Sequence, residues 1–410
     1  MSERFQAPRG TADALPQDAA ARARVEQAAR ELLERAGYRR IETPVFEDTE
    51  LFARGVGGST DIVRKEMFTF EDKGGRSVTL RPEATAPIAR AYIEHGMQKL
   101  PQPVKLWWYG ALFRHERPQA GRFRQFTQLD AEVIGSDSPL VDAELIVLLD
   151  ELLRALEVPE VTLKLTSLGS LESRGPYRNE LIAYLREHEG RLDREVRERI
   201  DENPLRAFDS KDPGTQEVMA GAPKMLDHLE QADAEHFATV RRLLDQAGVA
   251  YEVDATIVRG LDYYTHTVFE FHSARLGAQS QVAGGGRYDE LIALLGGPRT
   301  PAIGWAAGVE RILLAIEDDR GEQSHDVFVA ADDGHREQAL ALVTELRRAG
   351  LRADLDLASR SMKGQMRQAD RVGAARAVIL EGDDVRVRDM RTGDQREVDL
   401  SKVAEELTGR

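Results

Sequence analysis

Apolar positions along the chain switch between helical spacing and strict alternation, and these switches divide it into segments. An irregular arm, APRGTADALP, precedes a helical pattern from about Asp18 to Ala36 that closes at Gly37, and the strand-like IETPVFE follows. A polar, glycine-rich stretch, ARGVGGSTDIVRKEMFTFEDKGG, separates this opening from VTLRPEATAPIARAYIEHG, where Pro82 suits a first helical turn and Gly96 its end. VKLWWYGALFRHE and GRFRQFTQLDAEVIG flank the polar RPQA, which predicts a long β-hairpin. A helix from Pro139 to about Leu156 and the strand VTLKLTSLG lead into a charged helical block, Tyr177 to Ile200, and the loop-rich NPLRAFDSKDPG. This middle block reads as an insertion.

The β-rich pattern returns near Tyr251 and passes through VRGLDYYTHTVFEF and QVAGGGRYDELIALLGG to AIGWAAGVERILLAIE, a glycine-marked turn entering an apolar-periodic helix. Three successive residues of AGGGRY lack a Cβ, which suits either close backbone approach to a ligand or a tight turn between sheet and helix. Beyond the solvated DDRGEQSH, the segments DVFVA, Arg336 to Ala349, LRADLDL, Met362 to Val372, AVILEG and VRVRD alternate between strand and helix. They predict a small α/β domain with its own core.

Alternation also sorts side chains by face. From Arg122 to Glu132 it places Arg122, Arg124, Phe126, Gln128, Asp130 and Glu132 together. Two cations, a ring, an amide and two carboxylates suit a cleft with a phosphate at one end and an amine or imidazole at the other, and equally an exposed sheet laced with salt bridges. Arg114, Arg122 and Arg259 form a possible clamp for a nucleoside triphosphate, because a guanidinium fork donates two charge-assisted hydrogen bonds at once. Arg259 with Tyr263 and Tyr264 suits an anion beside a ring. His115 and His266 fit general bases or structural residues, Glu83 fits a ligand ammonium or a helix dipole, and Arg311 fits the cleft or a surface cap.

Composition narrows the choices. The 410 residues are 41% hydrophobic and 31% charged, enough for one large core and a smaller domain. Cysteine is absent, so thiolate nucleophiles, disulfides and Cys-based metal sites are excluded, and the nine histidines show no HExxH spacing. No apolar run of membrane length and no signal peptide are evident, so the expectation is a cytoplasmic protein without membrane partners. The net charge of -15 opposes nonspecific attraction to nucleic acid, so a polyanion would have to be held locally.

Several long motifs in one order resemble the bacterial histidyl-tRNA synthetases, a class II aminoacyl-tRNA synthetase family: RGTADALP, LRPEATAPIARAYIEHG, FRHERPQAGRFRQFTQLDAEVIG, GLDYYTHTVFEF, AGGGRYDELIALLGG and GWAAGVERILL, with TSLGS and NPLRAFDSK between them. The resemblance implies an α+β catalytic domain built on an antiparallel sheet over residues 1–321, interrupted by a helical insertion at about 172–232. A C-terminal α/β anticodon-binding domain would span 326–410. It implies ATP-dependent ligation of L-histidine to tRNA(His), by a homodimer whose interface carries Pro44.

The same resemblance assigns Arg114, Arg122, Phe126 and Arg311 to ATP, with Arg259 and Arg114 catalytic. Glu83, Thr85, Gln128, Glu132, Arg259, Tyr263 and Tyr264 would hold histidine, and Arg117 and Gln119 would face the tRNA acceptor end. Mg2+ would accompany ATP, with no tightly bound protein-liganded metal. Lys363, Arg367, Arg371, Arg386 and Arg388 could meet RNA phosphates. A noncatalytic paralogue, the regulatory subunit of ATP phosphoribosyltransferase, shares the catalytic-type fold but generally lacks the anticodon domain.

Overall fold

The structure, a computed structural model, describes residues 4–58, 60, 62–119, 121–258, 261, 263–316 and 325–408. The chain separates into two compact units, Met1–Asp13 with Arg22–Glu317, and Ala14–Ala21 with Asp318–Arg410. The opening elements are α1 (Pro16–Arg35), β1 (Arg39–Arg40), β2 (Phe46–Asp48), α2 (Thr49–Val56), β3 (Phe68–Glu71), β4 (Ser77–Leu80) and α3 (Thr85–Glu94). The hairpin β5 (Val104–Phe113) and β6 (Gln125–Ile134) follows, then α4 (Pro139–Ala155) and β7 (Val161–Ser167). Helices α5 (Leu171–Glu187), α6 (Arg194–Arg199), α7 (Pro213–Ala220) and α8 (Gln231–Ala247) form the middle block. The unit closes with β8 (Glu252–Val253), β9 (Thr265–Ser273), β10 (Gln281–Arg287), α9 (Leu291–Leu294), β11 (Ala302–Gly308) and α10 (Val309–Ala315).

Eight strands form the main sheet in the order β1-β5-β6-β11-β10-β9-β7-β8. Its interior pairs are antiparallel, and only the edge pairs β1·β5 and β7·β8 are parallel. Period-2 alternation along β6 decides what each face does. Odd-numbered Leu129, Ala131 and Val133 join Trp107, Phe269 and Trp305 in a core covered by α1, α4, α8 and α10. Even-numbered residues face the side where Trp108, Leu112 and Val268 pack against Ile88 and Tyr92 of α3 and Leu291 of α9.

Three segments differ from the sequence expectation. Helix α2 runs into the start of the glycine-rich stretch: just ahead of it Asp48 accepts a hydrogen bond from the Glu50 amide and caps the helix, which buries Phe52 and Val56 at helical spacing. AGGGR is strand rather than turn, and β10 ends just before Tyr288. A Cβ at Gly285 would lie 2.1 Å from the Gly304 carbonyl oxygen, so the missing side chains serve backbone-to-backbone approach within the sheet. AIGWAAG is likewise strand β11, paired on both sides, and the helix starts only at Val309. Pro82 also lies outside the first helical turn, since α3 begins at Thr85.

Helices α5 to α7 enclose a separate small core around Tyr177, Leu181, Leu185, Val196 and Met219. Helix α4 starts at Ser138-Pro139, where the serine side chain accepts from the Leu140 amide. One turn on, its Asp142 is fully buried and pairs with the equally buried Arg287, Nη2 to Oδ1 at 2.6 Å. His236 of α8 reaches the same carboxylate at 2.8 Å, and Arg287 also meets Asp289 at 3.2 Å. These charges replace their lost water with one another.

The smaller unit contains β12 (Val327–Ala331), α11 (Arg336–Arg348), β13 (Ala353–Leu355), α12 (Met362–Arg371), β14 (Arg376–Glu381), β15 (Asp384–Asp389), β16 (Gln395–Glu397) and α13 (Val403–Thr408). Its sheet runs β13-β12-β14-β15-β16, parallel across the first three strands and antiparallel beyond. Odd and even residues of β12 bury against α11 and α12 respectively, which explains its unbroken apolar run.

Candidate active site

A cleft of about 340 Å³ opens on the even-numbered face of β6. Its lining includes Glu83, Thr85, Arg114, Arg122, Phe126, Gln128, Tyr263, Tyr264 and Arg311, residues brought together from five separate stretches of the chain. Arg259 lies outside the described residues. The alternation expected from Arg122 onward begins only at Gln125, where the ladder with β5 starts. Before that point both Arg122 and Phe123 line the cleft. Arg124 instead donates to the main-chain oxygens of Glu116 and Arg9, so it leaves the expected face.

One end of the cleft is built on buried acids. Glu83 is 3% exposed, and its carboxylate accepts from the Thr85 amide at 2.8 Å and the Ala86 amide at 3.0 Å. It therefore caps α3 while facing the cleft. Glu132, 1% exposed, accepts from the Thr85 hydroxyl at 2.7 Å and the Tyr288 phenol at 2.5 Å. Burial pushes Glu83 up to about 7 and Glu132 up to about 8, against the hydrogen bonds that favour their charged forms. Glu132 sits one layer below the lining, behind Thr85 and Tyr288. Room for it exists because a Cβ at Gly304 would lie 1.5 Å from its Oε2. Tyr263 packs against Tyr264 and Tyr288 with ring centroids 4.8 and 5.6 Å apart, giving this end an aromatic wall.

The other end is cationic. Arg114 stacks over Phe126 at 5.3 Å and donates to the Pro82 carbonyl at 2.8 Å, which fixes its guanidinium between the two ends. Glu116 pairs with Arg122 at 3.3 Å and approaches Arg114 at 3.9 Å. Arg311 is held by the Gln281 carbonyl at 2.7 Å. Burial, and then the nearby charge of Arg122, lower the Arg311 pKa. Three guanidiniums confined this way favour an anion of several charges between them.

Arg117 and Gln119 are exposed on the loop between β5 and β6, where Gln119 pairs with Arg122 through the backbone. His115 and His266 do not line the cleft. His115 packs edge-on against Phe68, and His266 lies 3.3 Å from Asp233 and 3.7 Å from Asp289, with burial lowering its pKa. Among the described residues, no group of three or more histidine, aspartate or glutamate side chains is placed to hold a metal ion. No described helix is long and apolar enough to cross a membrane.

The cleft thus offers acceptors at one end, a ring platform in the middle and cations at the other. A family model for histidyl-tRNA synthetases matches residues 10–312, and one for the anticodon-binding domain matches residues 323–410. The histidine–tRNA ligase of Rubrobacter xylanophilus is 48% identical over 409 residues, covering 96% of both chains. The chain belongs to the histidyl-tRNA synthetase family. The ligase of Halorhodospira halophila is 49% identical over 386 residues, covering 93% of this chain and 90% of its own. The apo crystal structure of Staphylococcus aureus histidyl-tRNA synthetase superposes with a TM-score of 0.84 at 35% identity, covering 99% of this chain and 100% of that one.

In this histidyl-tRNA synthetase fold, several cleft residues escaped the sequence reading. Glu116 lies between Arg114 and Arg117 in the sequence, where nothing marks it as the carboxylate that pairs with Arg122. Tyr288 stands just past β10, two residues beyond the glycine run, and its hydroxyl reaches Glu132. Glu310 lines the cleft and binds the Thr127 amide at 2.9 Å, bracing β6 from α10.

Proposed function

We propose that this chain activates L-histidine with ATP and transfers it to the 3′ end of tRNA(His). The carrying observation is one cleft with a buried acidic end, a three-arginine end, and Phe126 between them. Adenine would stack on Phe126, the triphosphate with its Mg2+ would run toward Arg122 and Arg311, and Arg114 would meet the α-phosphate. Glu83, Thr85 and Gln128 would hold the amino acid's head group, while Glu132, Tyr263 and Tyr264 would read the imidazole. Arg259 would add charge at the α-phosphate and the histidine carboxylate.

The histidine carboxylate attacks the α-phosphorus, and the bond to the bridging oxygen breaks as pyrophosphate leaves with the electron pair. Arginines fixed beforehand stabilise the charge on the equatorial oxygens without reorganising. The terminal ribose hydroxyl then attacks the activated carbonyl, AMP leaves, and the hydroxyl proton passes to phosphate. Pairing both imidazole nitrogens gives specificity, because an apolar analogue would leave buried polar groups unsatisfied.

Residues 1–321 would act as the catalytic domain with the helical insertion at about 172–232, and 326–410 would read the anticodon. Arg117 and Gln119 would face the acceptor end. A homodimer in the cytoplasm is the expected working form. Exchange of pyrophosphate into ATP, without tRNA, tests the reading directly. Histidine should support exchange, and exchange that is absent, or supported equally by other amino acids, would sink it.

A further inference from the structure

We infer that Asp130, buried beneath the cleft, is a positioning residue that decides which end of the Gln128 amide meets the substrate's ammonium group. The inference rests on the functional reading above, which places the amino acid's head group beside Gln128. Gln128, Asp130 and Glu132 share one face of β6, and Asp130 stands opposite Trp108 on β5 and Ala306 on β11. It is fully buried. Its Oδ1 accepts from Gln128 Nε2 at 2.6 Å, and its Oδ2 has no hydrogen-bond partner among the described residues. Asp130 therefore spends its one hydrogen bond on the side chain that lines the cleft.

An amide has a donor end and an acceptor end, so fixing one end aims the other. An ionised Asp130 can only accept. It holds the NH2 end of Gln128 and turns Oε1 toward the cleft, where an ammonium group finds an acceptor. A protonated Asp130 carries a hydroxyl that can bind Oε1 instead, which turns the NH2 end toward the ammonium and repels it. The two protonation states thus present opposite faces to the same substrate group.

The surroundings make both states accessible. Burial raises the Asp130 pKa well above the ordinary carboxylate range, and the charges of Glu132 on the same strand and Glu83 ahead of α3 add to that. Gln128 and Arg114 oppose the rise, and Arg81, which follows β4, faces Asp130 with a further positive charge. Binding of the ammonium and ionisation of Asp130 should reinforce each other. Histidine affinity should then improve as pH rises through the Asp130 titration.

The test measures KM for histidine and for ATP in pyrophosphate exchange, across pH, in four proteins: the parent, Asp130→Asn, Gln128→Glu, and the double variant. Asparagine can bind either end of the Gln128 amide, so Asp130→Asn should raise the histidine KM about tenfold, as expected for losing a hydrogen bond to a charged group. ATP KM should stay within about twofold. The pH inflection assigned to Asp130 should disappear, while the titration of histidine itself remains common to all four proteins. Adding Gln128→Glu to Asp130→Asn should restore the histidine KM, since both oxygens of a carboxylate accept.

A merely structural role for Asp130 predicts no such rescue. Parent-like histidine KM and pH profile in Asp130→Asn, or a double variant no better than Asp130→Asn, would overturn the inference. If asparagine destabilises the sheet, Asp130→Ala removes the orphaned Oδ2 as well and should give the same split between histidine and ATP. Absence of histidine-dependent exchange in the parent would overturn the functional reading and this inference together.

Discussion

Replacing Glu132 with glutamine should make the folded chain more stable at high pH while weakening histidine binding. In an unfolded chain this carboxyl titrates near 4.5, whereas burial moves it to about 8 in the fold. Below 4.5 both states hold the proton, and the charge costs nothing. Between 4.5 and about 8 the folded chain retains a proton that the unfolded chain has released, so stability falls as pH rises. At roughly 1.4 kcal/mol per pH unit, the loss reaches about 5 kcal/mol once pH passes the folded-state value. Glutamine keeps both contacts, accepting from the Tyr288 phenol and donating to the Thr85 hydroxyl, but has no proton to release. The variant's advantage should therefore be small at pH 5 and grow to several kcal/mol at pH 8. Urea unfolding followed by tryptophan fluorescence measures this, because all three tryptophans, Trp107, Trp108 and Trp305, belong to the large sheet and report on that unit. Glu83 and Asp130 remain in both proteins and largely cancel in the difference. A margin that stays constant from pH 5 to 8 would refute the reasoning.

Gly304→Ala should drive the Glu132 carboxylate from its place, because the new Cβ would lie 1.5 Å from Oε2 and 2.8 Å from the Ala131 carbonyl oxygen. The expected result is about 1–3 kcal/mol of destabilisation in urea, with loss of histidine-dependent pyrophosphate exchange and retained circular dichroism. Arg174→Ala on α5 removes a 2.7 Å bond to the Tyr264 carbonyl oxygen, so the histidine KM should rise about tenfold with the ATP KM unchanged, and equal changes in both would contradict it.

How far the sequence revealed this site depends on whether each signal was local. Along β6 the period of two holds through the whole ladder with β5, so Phe126, Gln128 and Glu132 could be placed on one face before the strand's partners were known, although burial is continuous on both faces from Leu129 to Ile134. The α+β sheet, the helical block and the small α/β unit followed from periodicity and from the resemblance together. The failures share a cause. Glycines at 284–286 signal a turn by composition, yet their reason is a neighbouring backbone about 20 residues away in sequence, visible only once β10 and β11 are in register. Arg124 left its expected face because the ladder that enforces alternation had not begun. Tyr288 acts through Glu132 on a distant strand, and Glu116 meets Arg122 only because the β5–β6 loop folds back on itself, and no local pattern announces either meeting.

Arg287 and Tyr288 are consecutive residues whose side chains reach opposite faces of the large sheet, one to Asp142 of α4 and the other to Glu132 beneath the cleft. A single peptide unit therefore joins a charge pair in the interior to the phenol that holds the Glu132 carboxylate beneath the cleft. Substitutions at Asp142 or His236, which do not line the cleft, should therefore weaken the preference for histidine in pyrophosphate exchange, and an inhibitor-resistance map confined to the cleft wall would miss them.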